Sequence, residues 1–225
     1  MTLYLVATPI GNLEDLTFRA LALLKSVDAI MCEDTRHTQK ILNHFGFAKP
    51  LIRYDEHVHR RVSPVVVERL KKGDNLALVS DAGTPGLSDP GQRLVTDAVA
   101  AGIVVTPIPG PSALLTALAG SGFTWGKFSF LGFLSPRPGR AEKEIRAALS
   151  TGPVVFYESP HRVVKTLRWA LERFGERPVV VARELTKIHE EFLRGSLTEV
   201  TQTLSARGEI KGEITVVLSP EGSAV

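Results

Sequence analysis

The sequence predicts a mixed α/β chain built as two lobes. Short apolar runs rich in β-branched residues alternate with helical patterns from end to end, as in sheets covered by crossover helices. The alternation restarts after Trp125, placing a boundary between Ser112 and Gly126. The lobes are assigned to residues 1–113 and 114–225. The length, 225 residues, suits one large domain or two small ones at about 100–200 residues per domain.

In the first lobe Leu3–Ala7 reads as a strand. Thr17–Ser26 follows as a helix with Phe18, Leu21 and Leu24 inward at three-residue spacing. Ala29–Cys32 is the next strand, and Thr38–Phe45 a short helix ended by Gly46. Leu51–Tyr54 is a strand, Pro64–Lys72 a helix closed by Gly73, and Leu76–Val79 a strand. Gln92–Ala101 is a helix and Ile103–Ile108 a strand, after which Ser112 caps an apolar helix, Ala113–Ala119. Such alternation implies a mostly parallel sheet.

The second lobe repeats the theme. Strands are expected at Phe128–Leu131, Val154–Tyr157, Val179–Ala182, Phe192–Arg194 and Ile214–Leu218. Helices are expected at Ala141–Ala148, His161–Phe174 and Leu197–Ser205, with Ser135–Arg140 as a mobile loop.

Composition narrows the class. The hydrophobic fraction is 44% and the charged fraction 23%, ordinary for a globular protein and wrong for a disordered or fibrous chain. A single cysteine, Cys32, excludes a disulfide scaffold and points to a reducing, cytoplasmic setting. The first strand has no basic region before it, unlike a signal peptide. No charge occurs between Asp97 and Lys127, but three prolines and several glycines make that stretch a buried strand, tight loop and buried helix, with no membrane span expected. The formal charge of +3 permits nucleic-acid binding without demanding it.

The chemistry-bearing residues follow strands. They are Thr8-Pro9-Ile10-Gly11-Asn12, Glu33-Asp34-Thr35-Arg36-His37, Ser80 through Gly91, Pro109 through Ala113, Phe156 through Arg162, and Arg183-Glu184-Leu185-Thr186-Lys187. Glycine and proline in such loops let backbone grip a ligand closely. Neither a Gly-x-Gly-x-x-Gly nor a P-loop pattern occurs, which disfavours a dinucleotide or a triphosphate. His57-x-His59 beside Asp55-Glu56 lacks further metal ligands and reads as a solvated turn, Glu190-Glu191 as an exposed charged edge, and Cys32 as core. Asp34-Thr35-Arg36 reads either as a capping and ion-pair cluster or as functional, and its place beside the first loop favours function.

Together Leu5–Leu13, Glu33–Arg36, Ser80–Pro85, Phe156–Arg162 and Arg183–Lys187 closely resemble the ribosomal-RNA branch of the tetrapyrrole methylase superfamily, from about Leu3 to Leu218. The resemblance implies two α/β lobes with S-adenosylmethionine in the cleft, a homodimer, and 2′-O-methylation of a cytidine ribose in the decoding region of small-subunit (16S) ribosomal RNA, free or within the small ribosomal subunit. No metal is expected. Family members often continue into a further helical segment. This sequence ends seven residues after Leu218, so the two lobes alone are expected to hold RNA.

Carried onto this sequence, the resemblance assigns cofactor contacts to Pro9, Ile10 and Gly11, to Asp81, Gly83 and Thr84, and to Ser112 and Ala113. From the second lobe it adds Tyr157 and the Glu213–Thr215 neighbourhood, centred on Ile214. Candidates for orienting and deprotonating the acceptor hydroxyl are Glu33, Asp34, Arg36, Glu158 and Lys187, the lysine through a lowered pKa. The first two strands of an α/β lobe are usually neighbours, which would set Glu33 and Asp34 beside the first cofactor loop. Arg36, Arg162, Arg183 and Lys187 are alternative phosphate contacts. Two other classes compete: a methyltransferase of small-molecule tetrapyrroles, against which the polar strand ends argue, and a non-catalytic RNA-binding module, which cofactor binding would exclude.

Overall fold

A computed structural model describes residues 1–220, so the last five residues assigned to the C-terminal lobe, 221–225, lie outside the described residues. The contacts divide the chain into one unit of Met1–Ser112 and a second that begins at Ala113.

The first unit runs β1 (Thr2–Val6), a 3-10 turn (Leu13–Asp15), α1 (Phe18–Ser26), β2 (Ala29–Cys32), α2 (Thr35–His44), β3 (Leu51–Arg53), α3 (His59–Lys71), β4 (Leu76–Val79), α4 (Gln92–Ala100) and β5 (Val104–Ile108). Its strands form one parallel sheet in the order β3-β2-β4-β1-β5. β2 and β4 are buried along their whole length because helices cover both faces. On one face Ala20, Leu24, Ile41 and Leu42 pack on Val6, Ile30 and Val79. On the other, Val66, Leu70, Leu94 and Ala98 pack on Leu3, Met31 and Leu78.

Four expectations change here. β4 lies between β1 and β2, so the first two strands are not neighbours. The chain steps past the central slot and fills it later, an order that local patterning does not reveal. Phe18, the first residue of α1, is 94% exposed, and the helix buries Ala20 and Leu24 instead. α2 begins at Thr35 because the Asp34 side chain caps it. α3 begins at His59 and runs through Pro64, its entry set by Asp55 Oδ1 accepting the N–H groups of His57 (2.8 Å) and Val58 (3.0 Å).

The second unit runs α5 (Ala113–Ala119), β6 (Ser129–Phe133), α6 (Pro138–Leu149), β7 (Val154–Glu158), α7 (Val163–Phe174), β8 (Pro178–Arg183), β9 (Glu191–Ser196), α8 (Leu197–Ser205) and β10 (Ile214–Leu218). Its sheet has the order β6-β7-β10-β8-β9, and only β6–β7 is parallel. The parallel expectation fails because β8 and β9 form a hairpin and β10 returns between β7 and β8 against both. Ile145, Phe156, Leu167, Val181, Leu204 and Val216 centre its core. Ser135–Arg140 is only partly loop, since Pro138 opens α6 at a position that needs no N–H. The charge-free stretch folds as a strand, a loop and a helix, but the strand is not buried as expected, because β5 is an edge strand with Val104 exposed and only Ile108 buried. Among the described residues no helix is long and apolar enough to cross a membrane.

Candidate functional site

In the first unit four strand-end loops are tied together. Thr8 and Gly83 exchange backbone hydrogen bonds, N–H to carbonyl at 2.9 and 3.0 Å, joining the loops after β1 and β4. Thr8 Oγ1 donates to the Ser80 carbonyl and Ser80 Oγ to the Gly83 carbonyl, both at 2.9 Å. Gly83 needs its positive φ of 83°, and a Cβ there would sit 3.2 Å from Ile10. Thr84 Oγ1 donates to the Pro111 carbonyl at 3.3 Å, and a Cβ on Gly110 would press on Ala7 at 2.9 Å, which ties in the loop after β5. The Asp34 N–H donates to Asp81 Oδ1 at 3.2 Å, tying in the loop after β2. The loops that carry Pro9, Ile10 and Gly11, Asp81, Gly83 and Thr84, and Ser112 are therefore joined into one rim, with Glu33 and Asp34 attached through the β4 loop and not through a β1–β2 pairing.

This rim crowds carboxylates. Desolvation, then the charges of Asp81, Asp55 and Asp34, raises the Glu33 pKa, although the residue as a whole stays exposed; Arg53 only partly offsets this. Burial, then Glu33 and Asp81, pushes Asp89 up to about 6. Asp89 was not singled out from the sequence. Its only signal was its place in Ser88-Asp89-Pro90-Gly91, a turn in which Ser88 takes a φ of 65° and Gly91 a φ of 138°. Asp34 differs. Its carboxylate accepts from the Arg36 N–H (2.8 Å), Nε (3.2 Å) and Nη2 (3.0 Å), and these bonds hold it at about 2. Asp34-Thr35-Arg36 is thus built as a helix cap and ion pair, with Asp34 and not Glu33 as the arginine's partner. Cys32 is fully buried, and that burial raises its thiol pKa.

The second unit gathers its candidates through strand pairing. In the register of β7 with β10, Tyr157 lies opposite Thr215 and Glu158 opposite Ile214, which on its other side lies opposite Arg183 of β8. Tyr157 packs edge-on against Phe130 and Phe133, with ring centres 5.0 and 5.6 Å away. Glu158 is buried, accepting from the Ser159 N–H (2.7 Å) and Thr166 Oγ1 (2.6 Å), with Arg162 at 3.5 Å. It anchors the turn into α7. Ala113 opens α5.

Lys187 contacts Glu184 at 2.7 Å and Glu213 at 3.1 Å. Desolvation alone would lower its pKa, but the hydrogen bonds to both carboxylates outweigh it and hold the pKa above its ordinary value. The expected lowered lysine pKa is therefore corrected. Glu184, held low first by Lys187, adopts a φ of 52° and approaches Gly212 so closely that no Cβ fits there. Glu191 is no exposed edge. It takes a two-pronged contact from Arg207 (2.7 and 2.6 Å) and one from Arg183 (3.1 Å), and these hold it at about 2. His59 is no solvated turn either. It is buried, with Nδ1 2.8 Å from the Tyr54 hydroxyl and Nε2 3.4 Å from Asp97. Among the described residues no group of three or more His, Cys, Asp or Glu is arranged to hold a metal ion.

With this geometry in place, comparison with known proteins is informative. The family model of tetrapyrrole (corrin/porphyrin) methylases matches residues 2–201. A Halalkalibacterium halodurans protein named ribosomal RNA small subunit methyltransferase I is 48% identical across all of this chain and 78% of its own length. A Thermotoga maritima protein of the same name is 47% identical across 96% of this chain and 97% of its own. Among solved structures, diphthine synthase superposes with a TM-score of 0.70 at 16% identity, covering 97% of this chain and 90% of that one. Uroporphyrin-III C-methyltransferase from Thermus thermophilus, in complex with S-adenosyl homocysteine, gives 0.66 at 18% identity, covering 98% of each chain. At such identities the likeness shows the fold alone. The family match and the near-half identity along the whole length show that this chain belongs to the tetrapyrrole methylase family, alongside the ribosomal RNA small subunit methyltransferase I proteins.

Proposed function

We propose that this chain methylates the ribose 2′-hydroxyl of a cytidine in the decoding region of 16S ribosomal RNA, with S-adenosylmethionine as donor. The carrying observation is the 44–48% identity, over 96% or more of this chain, to proteins named ribosomal RNA small subunit methyltransferase I. The first-unit rim suits the cofactor chemically. It offers backbone amides and carbonyls instead of a phosphate cradle, and its crowded carboxylates, with Glu33 and Asp89 both raised, favour a ligand bearing positive charge. S-adenosylmethionine, when bound, supplies a methyl group activated by a sulfonium.

In this reading Pro9, Ile10, Gly11, Asp81, Gly83, Thr84 and Ser112 of the first unit, with Ala113, Tyr157 and Ile214 of the second, hold the cofactor. The reaction would form an oxygen–carbon bond at the ribose as the donor's sulfur–methyl bond breaks, leaving S-adenosylhomocysteine as the neutral thioether and releasing the hydroxyl proton. Glu33 is assigned to accept it, since a carboxylate with a raised pKa is the better base. Asp34 and Arg36 shape the Glu33 loop, Glu158 anchors the turn into α7, and Lys187 acts as a fixed cation. Much of the rate then comes from positioning two reactants. A cytoplasmic homodimer completes the reading, and light scattering tests the dimer.

The decisive experiment incubates the protein with methyl-labelled S-adenosylmethionine and small ribosomal subunits, then maps the label. One labelled 2′-O-methylcytidine supports the reading. Label on a base, on protein or nowhere overturns it.

A further inference from the structure

A recess of about 330 Å³ opens in the second unit beside the first turns of α7. Leu134, Pro136, Pro138 and Trp169 give it apolar walls, Arg162 and Lys165 give it charge, and no acidic side chain lines it. Its walls are set by the fold. Trp169 stands edge-on to Phe174 with ring centres 5.6 Å apart, Pro138 is fixed at the start of α6, and Leu134 is buried. Arg162 lies 3.5 Å from Glu158, whereas Lys165 is exposed and has no ion-pair partner among the described residues. The size falls at the small end of ligand sites, about 300–1,000 Å³, which admits one planar group and not a helix or a folded partner.

We propose that this recess receives one unpaired nucleotide of the RNA substrate, its base against the Trp169 wall and its phosphate beside Lys165 and Arg162. The proposal rests on the ribosomal-RNA reading above. An aromatic wall with adjacent cations matches how single-stranded RNA is held, since every base has a face to stack and every linkage carries a negative charge. A free phosphate would leave the apolar walls unused, and an apolar peptide would leave the Lys165 cation uncompensated. Holding a nucleotide here would fix the register of the bound strand.

The chain has two tryptophans, Trp125 and Trp169, so Trp125→Phe leaves Trp169 as the sole indole emitter. Titration of that variant with a short single-stranded oligocytidine should quench its emission to saturation. Adding Lys165→Glu should weaken the apparent affinity roughly tenfold, within the range found for loss of a stacking or charged contact. In turnover with small ribosomal subunits, Lys165→Glu alone should raise KM and leave kcat and S-adenosylmethionine affinity unchanged. Trp169→Leu should do the same, and because Lys165 is exposed the first variant stands even if the second misfolds. Emission unmoved by RNA, or an unchanged KM in Lys165→Glu, overturns the proposal. If the parent protein methylates subunits and the variant matches it, only the recess assignment falls. If the parent transfers no methyl to subunits, the reaction reading falls, and the quenching titration still decides whether the recess takes a nucleotide.

Discussion

At the strand ends of the first unit Glu33, Asp81 and Asp89 lie close together while Asp34 pairs with Arg36, whereas Glu184 and Glu191 of the second unit sit against lysine and arginine. Glu33 and Asp89 are pushed up, Asp89 to about 6. Glu184 and Glu191 are pulled down, Glu191 to about 2. All four are carboxylates; desolvation first and like charges second raise Glu33 and Asp89, while hydrogen bonds from Lys187 and Arg207 lower Glu184 and Glu191. A rim that crowds like charges sacrifices stability and is completed by a cation from outside, while a rim that pairs its charges is complete in itself. The contrast assigns ligand chemistry to the first unit and rigidity to the β8–β9–β10 region of the second.

The largest effect expected from breaking this contrast is at Asp81. Asp81→Ala removes the carboxylate that accepts the Asp34 N–H and that raises both Glu33 and Asp89. If it also bonds the cofactor directly, S-adenosylmethionine affinity should fall by roughly 1.5–3 kcal/mol, about 10- to 150-fold, in calorimetry. Unchanged affinity would remove Asp81 from the site and leave it as a loop tie.

Glu191→Gln attacks the paired side. It strands Arg207 and Arg183, both partly buried, and should destabilise the fold by about 1–3 kcal/mol at pH 7. The sign with pH follows from the lowered pKa. Stability from this group is present above the unfolded value near about 4.3 and is lost as pH falls toward about 2, so variant and parent should converge in denaturant titrations at acid pH. A gap that persists at pH 2 would place the effect in packing and not charge.

Asp89→Asn should do the reverse. Its folded pKa of about 6 exceeds the unfolded value near about 3.9, so the native state binds the extra proton between these values and stability falls as pH rises through that window. Above pH 6 the variant should be more stable than the parent by about 1–2 kcal/mol, and near pH 4 the two should match. In the parent, S-adenosylmethionine affinity should rise from pH 5 to pH 7 as Asp89 ionises, and the variant should flatten that rise. A flat profile in the parent would detach Asp89 from the cofactor rim.

The two units also differ in how legible they were. The Gly/Pro loops after β1, β4 and β5 announced backbone contacts, because glycine at a positive φ and a close approach at Gly83 or Gly110 are local demands. The crossovers gave the first unit its parallel sheet. Strand order did not show, since placing β4 between β1 and β2 depends on long-range packing. In the second unit the alternation points to parallel pairing, but the hairpin joining Arg183 to Glu191 turns through Glu184 and Thr186, both at positive φ, without the glycine that usually marks such a turn. Asp34 carried the expected motif, but a carboxylate before a helix serves as a cap as readily as a base, and only the Arg36 geometry separates the two. Asp89 is hidden because the burial that chiefly raises it comes from the fold, and the charges that add to it belong to Glu33 and Asp81, one of them distant in sequence.

The smallest expected effect tests whether a paired cation still reads RNA. Binding of a polyanion releases about 0.7 counterion per contacted phosphate on a single strand, so the slope of log affinity against log salt counts the cations that engage phosphate. Lys187 is held by Glu184 and Glu213 and is already neutralised within the second unit. Lys165 is exposed at the edge of its recess, without such partners among the described residues. Lys165→Gln should therefore reduce the magnitude of the slope by about 0.7, while Lys187→Gln should leave it unchanged. Cofactor binding, which neutralises no phosphate, should show almost no slope in either variant. An equal loss of slope at both lysines would mean that Lys187 exchanges its carboxylate partners for RNA, and the self-contained character assigned to that part of the second unit would hold only in the absence of substrate.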